Sequence, residues 1–124
     1  MNLIEKALVR RVLKPRIARD EPGKCVLQLG ALNLLPIDAA PHMHYIDQAM
    51  TLLPWVTESY TDGSGAIYVT YGEGGSAEKL RRWVDTAVEE AISLTEGKDM
   101  HKISEKELVE GELARLRLLV DKYA

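Results

Sequence analysis

Between residues 55 and 71 the chain reads WVTESY, then TDGSG, then AIYVTY. Two runs rich in β-branched and aromatic residues flank a short Gly/Asp/Ser segment. Such runs suit a pleated, half-buried surface, and their alternation sends every second side chain to the same face. Asp62-Gly63 is the strongest turn signal within the connecting segment. An antiparallel hairpin is therefore expected here, and an all-helical bundle is excluded.

Helical periodicity flanks this hairpin. Residues 39–53 place Ala39, Met43, Ile46, Met50 and Leu53 at gaps of four and three, one face of a helix. Asp38 can cap it, Pro41 falls in the first turn where no N–H is needed, and Pro54 ends it. Ser76 can cap a helix from 77 to about 95, whose stripe is Leu80, Trp83, Val84, Ala87, Val88, Ala91 and Ile92, with Gly97 past its end. Upstream, KCVLQLGAL (24–32) reads as a strand with Cys25, Leu27 and Leu29 on one face. RDEPGK (19–24) reads as a turn or linker, and LNLLPID as a loop. Residues 2–14 form an N-terminal helix that Pro15 terminates. SEKE (104–107) is a capping box opening a C-terminal helix over 104–123. MHKI (100–103) can supply a weak fourth strand.

The central order of strand, helix, hairpin and helix is most of a ferredoxin-like split β-α-β unit. The expectation is one α+β domain over 1–124: a ferredoxin-like sandwich with its core at about 22–103, extended by a helix at each end. Its first and third strands, at 24–30 and 66–71, are expected to run parallel.

At 124 residues and 46% hydrophobic content, the chain can build one core. Its net charge of −3 gives no overall field favouring nucleic acid, and none is expected as a partner. The charge is nevertheless uneven. Residues 1–24 carry seven cations and three anions, a net of +4, which leaves −7 for the rest. Cys25 is the sole cysteine, so no internal disulfide can form and a reducing compartment is expected. With no long apolar run and no signal-peptide pattern, the expected setting is soluble and cytoplasmic.

Three segments carry a resemblance. PGKCVLQLGAL is similar to the opening strand of divergent heavy-metal-associated, metallochaperone-like domains. IDQAMTLLPWVTESY resembles that family's first helix running into a Val-centred second strand, and GAIYVTY resembles its third strand. Together they cover about residues 22–95. The family's Cys-x-x-Cys metal site falls on Asn33 and Pro36, neither of which binds a soft ion. The resemblance implies an accessory domain without the metal site, acting through protein contacts and linked to metal transport or homeostasis, with a metal-transport ATPase as one partner it suggests.

A different metal site is conceivable in PHMHY (41–45), using His42 and His44 with His101 as a third ligand for a transition metal. On a helix, residues two apart diverge by about 200°. The stripe through Met43 makes this stretch helical, so packing and surface roles are the expectation. GEGGS (72–76) lacks the Lys-Ser/Thr of a phosphate loop and reads as a connection. No catalytic arrangement stands out, and an enzyme is not expected.

The reading is a non-enzymatic protein-interaction domain. The alternatives are a histidine-based metal-binding protein and a small-ligand-sensing regulatory domain. The interaction residues expected on the open face of the sheet are Val26, Trp55 and Tyr68, beside Gln28, Thr57 and Thr70. A C-terminal seam of Val109, Leu113, Leu116, Val120 and Tyr123 must also be buried. The terminal helices are expected to cover the open face, within the chain or by exchange in a homodimer, which is favoured.

Overall fold

Every strand of the sheet belongs to a hairpin. The computed structural model describes residues 3–34, 40–94 and 113–123. Helix α1 (Leu3–Val12) leads into β1 (Arg16–Glu21) and β2 (Lys24–Gln28). Helix α2 (Ala40–Met50) leads into β3 (Val56–Thr61) and β4 (Ala66–Tyr71). Helix α3 (Ala77–Leu94) follows, then the short α4 (Leu113–Arg117) and a 3-10 turn at Val120–Lys122. The strands form one sheet in the order β1-β2-β4-β3, and all neighbours are antiparallel. The chain is therefore mixed α+β.

Local chemistry explains the turns. Pro22-Gly23 joins β1 to β2, with Gly23 at φ 81°, the pattern of a type II turn. In the second hairpin the positive φ falls on Gly65, at 90°, rather than on Gly63. Asp62 holds that turn. Its Oδ1 accepts from the Ser64 amide at 2.9 Å and from the Ala66 amide at 3.3 Å, and its Oδ2 from the Tyr68 hydroxyl at 3.2 Å. These bonds, the one from the Ser64 hydroxyl first, hold the Asp62 carboxyl below its ordinary value. Helix α2 tightens beyond Met50 through i+3 bonds from Thr51, Leu52 and Leu53 before reaching Pro54. Ser76 caps α3, its Oγ accepting from the Lys79 amide at 3.1 Å.

The core lies on one side of the sheet. Cys25, Leu27, Leu29, Ile67 and Val69 face a helical layer in which Leu80, Trp83, Val84 and Ala87 are fully buried. Helix α3 lies against β1 and β2, and α2 against β3. Two buried hydrogen bonds join the helices: Tyr45 Oη donates to the Ala87 carbonyl at 2.8 Å, and Trp83 Nε1 to the Ala49 carbonyl at 2.9 Å. Helix α1 packs on α3, where Arg10 makes a two-pronged pair with Glu89 at 2.9 and 3.2 Å. That pair is half exposed and contributes roughly 0.2–1 kcal/mol.

Several sequence expectations change. The first strand of the sheet, β1, lies where a turn or linker was expected from residue 19. All six of its residues are exposed, so no apolar alternation marks it. Strands β2 and β4 are antiparallel, not parallel, because β4 is the return arm of a hairpin; the strand that runs with β2 is β3, one place further out. Trp55 is not on the open face. It is 7% exposed, beside Tyr71 in the core, and donates from Nε1 to the Tyr123 carbonyl at 2.8 Å. The C-terminal segment packs on α2 and α3, not on the open face. Leu113 and Leu116 enter the core, Val120 and Tyr123 lean on it, and the Tyr123 ring meets Trp83 edge-on at 5.1 Å. The described part of this seam thus packs within the chain, which removes the ground for exchanging it. Its described part is also not one unbroken helix, since a 3-10 turn follows α4. Asp38, Gly97, the MHKI strand, the SEKE box and Val109 lie outside the described residues.

Gly75 gives this packing a sharp test. A methyl group there would sit 2.5 Å from the Trp55 ring and 2.6 Å from that of Tyr71. Gly75→Ala is expected to cost roughly 1–3 kcal/mol through displaced rings, read as a lower denaturant midpoint. The same displacement should red-shift the emission of Trp55.

Candidate interaction surface

The face of the sheet turned away from the helices carries the exposed chemistry. Across it runs one register row, Arg19↔Val26↔Tyr68↔Tyr60. Beside it runs Glu21↔Lys24↔Thr70↔Glu58. Strict alternation puts both rows outside, because Cys25 and Leu27 point into the core from the positions between them. None of the described helices covers this face.

Its relief is uneven. Tyr60 and Tyr68 stack with ring centroids 4.6 Å apart and planes 8° from parallel. They form a ridge over β3 and β4. Tyr60 is 53% exposed. The Asp62 carboxylate holds the Tyr68 hydroxyl, raising its pKa above the ordinary value. Next to the ridge lies a shallow trough of about 410 Å3, floored at Val26 and walled by Arg19, Glu21, Lys24 and the tyrosines. Arg19 Nη2 pairs with Glu21 at 3.3 Å along the outer wall. Val26 and Tyr68 are therefore on the face where they were expected. Trp55 is not, and Tyr60 and Arg19 take part without having been singled out. The signal for Tyr60 was its place opposite Tyr68 in the hairpin. Arg19 needed β1 to be recognised as a strand.

Two of the three proposed ligands, His42 and His44, point apart. His42 is buried beside Val9, Leu13, Tyr45, Ile46, Val88, Ala91 and Ile92, whereas His44 is exposed. Helical geometry sends them opposite ways. His101 lies outside the described residues. Among the described residues no group of three His, Cys, Asp or Glu side chains is placed to hold a metal ion. The GEGGS loop is tied to α3: Lys79 Nζ donates to the Gly74 carbonyl at 2.7 Å and sits 6.0 Å from the Trp55 ring centroid.

No family model matches the chain, and neither a curated protein nor a solved structure is detectably similar to it. Among the described residues no helix is long and apolar enough to cross a membrane.

Two outcomes follow from these placements. Titration with Cu(I), Zn(II) and Ni(II) at neutral pH should give no submicromolar binding that a His42→Ala/His44→Ala double variant abolishes. Cys25 is pushed up from 9.0 to about 11, by burial first and the Asp20 carboxylate second. Above pH 9 the unfolded thiol ionises while the folded one keeps its proton. The thiol's contribution to stability is therefore complete below pH 9.0 and lost as pH rises to about 11. Chemical denaturation should show this alkaline loss, and Cys25→Ala should lose less over the same interval.

Proposed function

We propose that this chain is a non-enzymatic protein-interaction domain that binds through the open face of its sheet. One observation carries the reading: the exposed Tyr60–Tyr68 stack beside a trough floored by Val26. Tyrosines with one face buried and a polar tip suit protein contacts, since they give large contact area with few torsions to freeze. The surrounding Arg19, Glu21, Lys24 and Glu58 form the polar rim such a patch needs.

We read the fold as ferredoxin-like in a rearranged order. Strands β2 and β3 joined through α2, with β4 between them, have the arrangement of a split β-α-β unit. The remaining place beside β2 is taken by β1, which comes before the unit instead of after it. An accessory role in metal handling, including contact with a metal-transport ATPase, rests on the sequence resemblance alone; a cytoplasmic setting rests on the lone cysteine together with the lack of a long apolar run or signal-peptide pattern.

Site-specific photo-crosslinking in cells tests the reading. A crosslinker replacing Tyr60 or Thr70 is expected to trap discrete protein adducts. One replacing Ser93, exposed on α3, is expected to trap none of them. Absence of any adduct from both face positions would overturn the assignment.

A further inference from the structure

We infer that the occupant of the open face is a second copy of this chain, seated face to face about a two-fold axis parallel to the strands. The inference deepens the reading of that face as a protein-binding surface and rests on it.

The relief is complementary to itself. The ridge lies over β4 and β3, and the trough lies toward β1 and β2, side by side in the same register row. A two-fold axis along the strands carries β3 of one copy over β1 of the other and β4 over β2. Tyr68 of each copy then meets Val26 of the other, and each tyrosine ridge enters the opposing trough. At its far wall Tyr60 of one copy lies over Arg19 of the other, a cation against an aromatic face. An axis across the strands would instead set ridge on ridge.

The charges point the same way. The β1–β2 side of the face bears Arg16, Arg19 and Lys24 against Glu21, a net of +2. The β3 side bears Glu58 and, in its turn, Asp62, a net of −2. Asp20 alternates to the other face, in the row of Cys25. The same two-fold lays Asp62 of each copy over Arg16 of the other and sets the two sides together with opposite net charge, although Glu58 itself falls on Glu21, beside Lys24. Such an isologous interface closes on itself and stops at two subunits.

Size sets the strength. Four strands of five or six residues span about 20 by 20 Å, from spacings of about 4.8 Å between strands and 3.3 Å along them. At about 400 Å2 per partner that falls below the standard size of specific interfaces, so only weak association, micromolar or weaker, is expected.

Sedimentation velocity of the full chain across the micromolar range should show a concentration-dependent shift toward twice 13.9 kDa. Tyr60→Ser and Val26→Glu should each weaken association by roughly tenfold or more without changing the far-ultraviolet spectrum. Charge reversal separates this geometry from any other dimer. R19E/K24E should associate more weakly than wild type when alone, whereas its mixture with E58K should form a heterodimer preferentially. A chain that stays at 13.9 kDa to near-millimolar concentration overturns the inference, as does a dimer indifferent to all four variants. If crosslinks from Tyr60 in cells then reach only other proteins, the face still binds protein and the second-copy assignment alone fails.

Discussion

Two side chains hold the helical layer together by reaching across it. Tyr45 on α2 donates to a carbonyl of α3, and Trp83 on α3 donates to a carbonyl of α2. Both accepting residues are alanines, and with Ala91 they let the helices approach closely enough for a ring to reach the opposite backbone. A buried tyrosine or tryptophan must satisfy its polar atom, and here each does so on the neighbouring helix. This reciprocal bonding fixes how α2 sits against α3, and therefore which strip of sheet each covers. The C-terminal turn depends on it too, since the Tyr123 ring lies on Trp83 and its hydroxyl meets that of Thr86 at 2.6 Å.

From that constraint follows the one-sidedness of the molecule. The helices α1 to α4 pack into a single layer whose interior is apolar, with His42 as its buried polar side chain among the described residues. The sheet is left with one dry face and one wet one, as antiparallel sheets commonly are. The wet face is not uniformly polar, and its aromatic ridge is what distinguishes it from a merely solvated surface.

Much of this was legible in the residues because burial and periodicity coincide. The alternation of AIYVTY placed β4 at its observed ends, and the stripe through Trp83 marked α3. Cys25, Leu27 and Leu29 declared their inward face by spacing alone. What failed to show had no apolar signature. Strand β1 is held by backbone pairing to β2 and exposes all its side chains, so nothing in RIARDE announces it. Trp55 was assigned by alternation from β3, yet β3 begins at Val56 and its pairing is bulged between Val56 and Glu58, which breaks the phase before Trp55 is reached. The histidines were legible in a negative sense, since helical spacing already parted them. The alignment of Tyr60 and Arg19 in one row across four strands needed the register, which no local pattern encodes.

The bond from Trp55 to the Tyr123 carbonyl spans 68 positions of chain. The same residue supplies the ring that closes over Trp83, 40 positions upstream by number. Both indoles therefore wait for the last-made part of the described chain before their surroundings are complete. At roughly 5–20 residues per second, a growing chain spends seconds with the sheet and the first helices made but these two rings uncapped. Synthesis and folding are in this way coupled from the wrong end: the hairpins can form as they emerge, while the core that sits on them can be finished only once residue 123 has been added.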